Sequence, residues 1–490
     1  MPLKIACLKQ KIAPAFLLPC PVFEVRLNGG QQINQQRISI VGICAGVVVL
    51  AMIFSMVNTA IPSIGKSLPS TMLQLQWIIN IFGIVTCSTL VTFGRLADIY
   101  GRKKIYLFGL SMCLIGLLGA SIARSIYWVI AFQGFLGVGN AVILPVSQAL
   151  LSHEYPANQR SKAIALWALV IGVALSAGPL LGGFLTEELS WRWIYLAPLP
   201  VVVFSMITVG LCTKESKNKE DCPELDIKGA LLLIVSITAF VLAVLQGGVW
   251  AVTIIVVLYL ISAATLVLLL FVEKNAKAPI IHEDLFTNRR FVLCSIANGC
   301  LVFFIWADFF LFPLFLQSQA GFSPLQAGLL LLCITIPVCV LSPIVGKLYN
   351  IVQLKYLIGA GFCLLVCSAA MQHFFYPDSS LIIFVLAALF LGLTWGFSWG
   401  PTTTAAISTL DRERAGIASG TFVTIAEIGG ALGVTITVSV VRANDNFVYG
   451  FHNGAWVLTI VSVVGLASAL LLKKTEPIER NLRKRSRHTF

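Results

Sequence analysis

Fourteen stretches of about twenty mainly apolar residues divide this 490-residue chain. A helix needs roughly 20 such residues to cross a bilayer. Charged residues make up 11% of the chain and its mean hydropathy is +0.91, whereas about 25% of a soluble domain is charged. The sequence therefore predicts an all-α membrane protein, since barrel strands would alternate in polarity over about ten residues. The predicted spans are 38–61, 75–97, 104–122, 127–151, 162–186, 193–213, 227–245, 249–272, 290–316, 324–348, 354–372, 380–403, 415–441 and 453–472.

The formal charge of +13 is distributed very unevenly about these spans. Of the 34 Lys and Arg residues, 30 fall on the side that holds both termini, and Lys66, Arg124, Arg192 and Arg442 fall on the other. Cytoplasmic loops carry such an excess of positive charge. The pattern therefore predicts two cytoplasmic termini and no nucleic-acid partner.

Neither catalytic nor ATP-binding signatures stand out. The five histidines are isolated in loops or tails, without His-Glu-x-x-His or a carboxylate pair, and there is no Gly-x-x-x-x-Gly-Lys-Ser/Thr phosphate loop. Ten of the 13 cysteines lie inside predicted spans without paired spacing, so they are interpreted as small apolar fillers. We predict no enzyme activity, no metal site and no cofactor; a membrane-embedded enzyme is the least favoured alternative.

A charged, glycine-punctuated turn, Gly94-Arg-Leu-Ala-Asp98-Ile-Tyr-Gly101-Arg102-Lys103-Lys104, lies between two apolar runs. Five charges in so short a segment place it outside the bilayer core. The segment resembles the loop signature of the major facilitator superfamily, Gly-x-Leu-Ala-Asp-x-x-Gly-Arg-Lys/Arg-x, with Gly94, Asp98, Gly101 and Arg102 at its fixed positions. The resemblance implies a transporter built of two six-helix bundles.

Internal repetition agrees with that layout. Gly346-Lys-Leu-Tyr-Asn350 is a degenerate copy of the Gly94 motif, 252 residues further on, and Pro145 is matched by Pro401. Parallel repeats of six helices are typical of major facilitators. The offset leaves room for two extra helices between the halves. The predicted domains are a cytoplasmic tail (1–37), an N-terminal bundle (38–213), a linker with two extra helices (214–289), a C-terminal bundle (290–472) and a basic cytoplasmic tail (473–490).

Asp98 is predicted at the C-terminal end of span 2, where the helix dipole disfavours an anion. Arg102 or the N-terminus of another helix must compensate it. The family resemblance implies that the loop latches the two halves, with Asp98 facing the start of span 13 near Ala415. The alternative is a solvated turn that only sets the topology.

Span 5 carries Gly178-Pro179-Leu-Leu-Gly182-Gly183, in which proline kinks the helix and glycines allow close backbone approach. This order resembles the antiporter motif of exporters. Trp191-Arg192-Trp193 and Asn58-Thr-Ala-Ile61-Pro62 resemble features of fourteen-span drug:proton antiporters. The chain departs from that subfamily at Ile53, where an acid is usual, and at Gln133 and Leu136, which replace the usual Arg and Gln of span 4.

Two carboxylates are predicted deep in the bilayer, Asp308 in span 9 and Glu427 in span 13. An ionisable residue at such depth is costly and is a functional hypothesis by default. Burial favours the neutral acid, which suits a proton carrier. Each is therefore a proton-coupling candidate. The alternatives are a structural hydrogen bond for either acid, or hydration near the exit for Asp308.

The cargo cavity is predicted to be apolar and aromatic, although side chains at such depths also serve helix packing. The candidates that would line it are Asn58, Gln133, Trp306, Phe309, Phe310, Trp395 and Trp399. Aromatic faces together with acids suit a bulky amphipathic or cationic compound.

The sequence thus predicts a proton-coupled secondary transporter in a bacterial cytoplasmic (inner) membrane that exports lipophilic or cationic drug-like compounds by alternating access. The alternative is a dedicated exporter of one metabolite, such as a siderophore, favoured by the altered Ile53 and Gln133 positions. The expected partners are a small-molecule substrate, protons and the lipid bilayer. A periplasmic adaptor protein is the one protein partner considered; without it the chain is expected to be a monomer.

Overall fold

The computed structural model describes residues 29–155, 160–216, 227–246, 250–274, 283–348, 352–407 and 415–472, which form helices joined by short loops. The helices are α1 (Gly29–Ser67), α2 (Met72–Tyr100), α3 (Arg102–Ser121), α4 (Ile126–Glu154), α5 (Arg160–Glu188), α6 (Trp193–Leu196), α7 (Leu199–Cys212), α8 (Ile227–Leu245), α9 (Val252–Lys274), α10 (Glu283–Thr287), α11 (Arg289–Ser318), α12 (Pro324–Leu348), α13 (Leu354–Gln372), α14 (Leu381–Ile407), α15 (Ala415–Arg442) and α16 (Phe447–Leu470).

Each predicted span coincides with a helix. Among the described residues, 13 helices are long and apolar enough to cross a membrane, with α6 and α7 acting together as one span, Trp193–Cys212. The shorter apolar helix Lys228–Val244 lies within the predicted span 227–245. The all-helical membrane architecture is confirmed. Fourteen crossings and cytoplasmic termini stay predictions.

Several helix ends follow from local chemistry. Thr71 and Gln74 form a reciprocal capping box that starts α2. Asn288 accepts the first free backbone N–H groups of α11. The sixth span breaks between α6 and α7 because Pro198 and the following Pro200 lack a backbone N–H group.

The helix at the N-terminus is longer than the sequence predicted. α1 begins at Gly29, nine residues before the predicted span, so the last part of the predicted tail, residues 29–37, is helical. These residues are mostly Gln, Asn and Gly, and they give no apolar signal. Residues 1–28 and the basic tail 473–490 lie outside the described residues.

The helices assemble into two bundles. In the first, α1 packs on α5 and α7, and α4 packs on α2 and α3. In the second, α11 packs on α15, and α13 packs on α14 and α16. Glycines allow the closest of these approaches: a Cβ added to Gly429 or Gly433 of α15 would lie 2.5 or 2.1 Å from a backbone oxygen of α11. α11 is consequently buried along almost its whole length.

The bundles meet along two lateral contacts, which we name the α2–α15 seam and the α5–α12 seam, with α1 and α11 facing each other between them. α8 and α9 form a hairpin held by Ser236 and Ser262, each of which donates to the other's carbonyl oxygen at 3.0 Å. α8 packs against both α2 and α15. The extra helices therefore cover the α2–α15 seam.

The two ends of the molecule differ in charge. We call the end that carries residues 94–104 the basic end, and the end that carries the start of α2 and the end of α15 the opposite end.

Candidate transport site between the two bundles

A chain of aromatic rings crosses the centre of the molecule from one bundle to the other. Phe54 of α1 lies 6.3 Å from Phe82 of α2, 5.1 Å from Trp306 and 5.9 Å from Phe309 between ring centroids. Phe309 meets Trp395 of α14 edge-on at 6.2 Å, and Trp395 lies 6.3 Å from Trp399. We call these six residues the aromatic cluster. Four of them were predicted to line a cavity.

Trp306 occupies the middle of this cluster because two glycines leave room for its indole. A Cβ on Gly83 of α2 or on Gly430 of α15 would lie 2.7 Å from the Trp306 ring. The indole is thus held by both bundles at once, and its side chain is 6% exposed. Any relative movement of the bundles must move Trp306 against one of the two glycines.

The cluster becomes accessible toward the basic end. Trp399, one helical turn beyond Trp395 along α14, is 37% exposed. α14 runs from the opposite end to the basic end, so the exposed Trp399 ring is the member of the aromatic cluster nearest the basic end. Phe310, another predicted lining residue, is fully buried one turn beyond Trp306.

The remaining polar candidates of the N-terminal bundle lie among its helices. Gln133 of α4 is 2% exposed and donates to the Tyr195 hydroxyl of α6 at 2.9 Å, inside the bundle and not in the aromatic cluster. Asn58 lies one turn from Phe54 and donates to the Phe54 carbonyl oxygen at 2.6 Å. Ile53 is buried. The two positions that depart from the antiporter pattern therefore carry no charge and are built into the core.

Glu427 lies in the α2–α15 seam. The neighbouring Ile428 packs on a cluster of α2 and α8 residues, and the Glu427 carboxyl group lies within electrostatic range of Cys87 of α2. Its Oε2 atom is buried and has no hydrogen-bond partner among the described residues. A buried carboxyl oxygen without a described partner at a seam between two bundles is the arrangement expected of a group that gains and loses a proton.

Asp308 has different surroundings. It is 3% exposed and accepts a hydrogen bond of 2.7 Å from Gln372 Nε2 at the end of α13. Two residues along a helix turn a side chain through about 200°, so Asp308 points away from the Trp306 side of α11. It belongs to the buried interior of the C-terminal bundle.

Toward the opposite end, the α2–α15 seam is closed by polar contacts. Gln76 Nε2 donates to the carbonyl oxygens of Val434 and Thr435 at 3.3 and 3.2 Å, and its Oε1 accepts from Arg442 at 3.3 Å. Asn80 donates to the Thr435 hydroxyl at 3.0 Å. We call Gln76, Asn80, Thr435 and Arg442 the polar lock.

The α5–α12 seam is closed by backbone packing. A Cβ on Gly183 would lie 2.5 Å from the Pro324 carbonyl oxygen, and one on Gly328 would lie 2.2 Å from the Pro179 carbonyl oxygen. The other motif glycines face α1, since Gly178 and Gly182 lie against Ser55 and Met56. The predicted antiporter motif thus packs α5 onto α1 within its bundle and onto α12 across the seam.

The comparison with known protein families decides the family. A model of the Major Facilitator Superfamily matches residues 43–434. The chain belongs to the Major Facilitator Superfamily. The family consists of transporters of small molecules, so this chain is a multi-pass membrane transporter.

Relatives and solved structures of this major facilitator transporter agree with that assignment. The "Multidrug resistance protein Stp" of Mycobacterium tuberculosis is 32% identical over 392 residues, which cover 79% of this chain and 72% of Stp. The "Riboflavin transporter RibZ" of Clostridioides difficile is 25% identical over 90% of this chain and 99% of RibZ. The crystal structure of a D-xylose-proton symporter shares the fold, with a TM-score of 0.65, 14% identity, and coverage of 90% of this chain and 97% of the symporter.

The signature loop of this major facilitator lies at the basic end between α2 and α3. Asp98 Oδ1 accepts hydrogen bonds of 3.1 and 2.9 Å from Nε and Nη2 of Arg102, which supplies the compensating charge. Gly101 joins the helices with φ of +115°, in a region that side-chain-bearing residues rarely adopt. The side chains at the start of α15 lie outside the described residues, so the latch toward Ala415 stays a prediction.

Sequence reasoning missed several residues that the structure places at this site. Phe54 and Phe82 complete the aromatic cluster, and Gln76, Asn80 and Thr435 form most of the polar lock. The signal for Gln76 and Asn80 was available, because two amides four residues apart lie on one face of an apolar helix. Phe54 and Phe82 gave no such signal among the 31 phenylalanines of the chain.

Proposed function

We propose that this transporter exports lipophilic or cationic drug-like compounds across the bacterial cytoplasmic membrane in exchange for protons. The observation that carries the proposal is the aromatic cluster, which runs across both bundles and ends at the exposed Trp399. Flat ring faces bind bulky apolar compounds without demanding one shape, and they attract cations. The similarity to the multidrug resistance protein Stp supports this cargo class.

The arrangement of the bundles supports alternating access. Among the described residues, the hydrogen bonds that join them include the polar lock, the bond from Gln317 to the Thr59 carbonyl oxygen, and the bond from the Leu325 N–H group to Glu187, all toward the opposite end or at mid-depth. Trp399 is accessible at the other end. With the basic end in the cytoplasm, these features support an inward-facing conformation in which cargo enters from inside.

Glu427 is the proposed proton carrier. It lies in the seam whose two helices must separate at one end and close at the other, and its Oε2 is buried without a partner among the described residues. A charged carboxylate buried there opposes rearrangement of the seam, whereas one neutralised by a proton or by bound cationic cargo permits it. Cargo would thus accompany the outward step and a proton the return step. Asp308, already bonded to Gln372 within one bundle, is the second candidate.

A dedicated metabolite exporter is the alternative function. Ile53 and Gln133 lack the charges usual in drug:proton antiporters, and Gln133 is bonded to Tyr195 instead. The relative named riboflavin transporter matches this chain over 90% of its length, so a planar aromatic metabolite also suits the aromatic cluster.

Transport into inverted membrane vesicles tests both functions. Vesicles carrying the protein receive an imposed pH gradient, acidic inside, and are screened with cationic dyes, iron chelators and riboflavin. We expect dye uptake that a protonophore abolishes. Uptake of the chelator or of riboflavin alone would favour the metabolite exporter.

Two variants assign the proton carrier. Glu427→Gln and Asp308→Asn keep the size of each side chain, and Glu188→Gln, an exposed acid at the opposite end, is the matched control. We expect Glu427→Gln to lose pH-driven uptake and to keep exchange of external for internal cargo. Normal pH-driven rates in both Glu427→Gln and Asp308→Asn would contradict the proposed coupling.

A further inference from the structure

The segment that leaves α7 crosses directly over the start of α3. Residues 213–216, which we call the strap, follow α7 without helical structure. Thr213 is buried and shares a hydrogen bond of 2.7 Å with Ser39 of α1. Ser216 is also buried, while Glu215 between them reaches the signature loop. The strap is therefore held in place at both of its ends.

Two hydrogen bonds join the strap to the start of α3, and a third lies within the strap. The Lys103 N–H group donates to Glu215 Oε1 at 3.0 Å, and the Arg102 N–H group donates to the Ser216 carbonyl oxygen at 3.1 Å. The Ser216 N–H group donates to the same Glu215 oxygen at 3.1 Å. The first N–H groups of a helix lack partners within it, and a carboxylate there is favoured by the helix dipole. The strap supplies acceptors to the first two N–H groups of α3.

Gly101 is what allows this approach. A Cβ at this position would lie 2.6 Å from the Glu215 carboxyl group. The signature glycine Gly101 thus has two roles. Its positive φ allows the turn, and its missing side chain leaves room for the Glu215 carboxylate, which is far away in the sequence.

The strap also fixes the partner of Asp98. The side chain of Arg102 pairs with Asp98 at 2.9 Å, and the backbone of the same residue is bonded to Ser216. Beyond Ser216 the chain continues through residues 217–226, outside the described residues, to α8 on the α2–α15 seam. The inserted helices therefore follow the strap in the sequence, and the strap is bonded to the signature loop.

We propose that Glu215 is a positioning residue of the transport cycle. Its carboxylate holds the start of α3, so that Arg102 stays on Asp98 while the two bundles move. It acts through Arg102 and touches no cargo. The turnover readout below rests on the proposed function, whereas the amide-exchange readout does not.

Amide hydrogen exchange of the full-length protein in lipid nanodiscs tests the contact. The variants are Glu215→Ala and Glu215→Gln, with Lys214→Ala, an exposed neighbour in the strap, as the control. We expect the Lys103 amide in Glu215→Ala to exchange about tenfold faster, as for the loss of a bond to a charged group. Glu215→Gln keeps an acceptor and should restore much of the protection. Unchanged exchange in Glu215→Ala would overturn the contact.

Dye uptake by the same variants in inverted vesicles tests the role. We expect Glu215→Ala to lower kcat severalfold at unchanged KM, with Glu215→Gln in between and Lys214→Ala like the wild type. Faster exchange with unchanged kcat would overturn the positioning role. If the wild type moves no screened compound, the proposed function fails. The positioning role is then judged by amide hydrogen exchange of residues 94–100. Faster exchange there in Glu215→Ala supports the role, and an unchanged rate overturns it.

Discussion

The two seams between the bundles are closed by different chemistry. The α2–α15 seam is joined by side chains: Gln76, Asn80 and Arg442 supply hydrogen bonds, Glu427 supplies a carboxyl group, and α8 covers its outer side. The α5–α12 seam is joined mainly by backbone, with Gly183 and Gly328 packed against carbonyl oxygens.

The difference teaches how one pair of bundles can both hold together and switch. Hydrogen bonds and a carboxyl group can be exchanged for water or a proton as the α2–α15 seam opens and closes. Glycine packing has no such alternative partner. We therefore propose that the α2–α15 seam is the switch and the α5–α12 seam is the pivot, on opposite sides of the aromatic cluster.

Glu427→Gln should have the largest effect on the switch. The variant mimics the protonated acid permanently, so pH-driven cargo accumulation is expected to be nearly abolished while cargo exchange continues. The two vesicle assays described above measure this. Loss of both activities would indicate a structural role, and the α2–α15 seam would then not be the proton-linked one.

Gly183→Val should have the largest effect on the pivot. The added side chain meets the backbone of Pro324 and Leu325 at 2.5–2.8 Å, and overpacking of this kind costs about 1–3 kcal/mol. We expect a lower midpoint of thermal unfolding in detergent and little remaining transport. Gly210→Val is the control, because an added Cβ there meets nothing within 4 Å. Equal effects of the two variants would show that α5 and α12 are not tightly joined.

Gln76→Leu should shift the switch without breaking the fold. It removes two donated bonds and leaves Arg442 without its acceptor, a loss of about 1–3 kcal/mol from the closed opposite end. We expect faster labelling of a cysteine introduced at Asn58 by a membrane-impermeant maleimide added outside cells. Gln319→Leu, whose amide donates to the adjacent Ser318, is the control. An unaltered labelling rate would show that the polar lock does not keep the opposite end closed.

Glu187→Gln should have the smallest effect. The exposed carboxylate accepts from the Leu325 N–H group at the start of α12, where a surface charge contributes roughly 0.3–1 kcal/mol at low salt. The same labelling assay should show a slight acceleration that disappears at high salt, with Glu188→Gln unchanged. An effect larger than that of Gln76→Leu would mean that the α5–α12 seam, and not the α2–α15 seam, is the switch.

The fold was largely predictable from the sequence. Two spans, 324–348 and 354–372, were predicted with the bounds that α12 and α13 have. Apolar length marks a span directly because the bilayer sets it. α1 begins nine residues before the predicted span, since a helix that continues past the apolar region gives no hydropathy signal.

The candidate site was only partly predictable. Trp306, Phe309, Trp395 and Trp399 do come together, but Gln133 is bonded inside a bundle, and the two acids lie in different surroundings. Which way a residue faces depends on the rotation of its helix against neighbours from the other half of the chain. In uniformly apolar helices no polar face reveals that rotation.

By itself, the sequence determined a helical membrane transporter, the signature loop, and which end of the molecule is basic. These follow from composition and local motifs. Only the tertiary structure decided that Trp306 lies between Gly83 and Gly430, that Glu427 lies in the covered seam, and that Glu215 holds the start of α3. Each of these joins residues far apart in the chain, and such contacts are set by how whole helices pack.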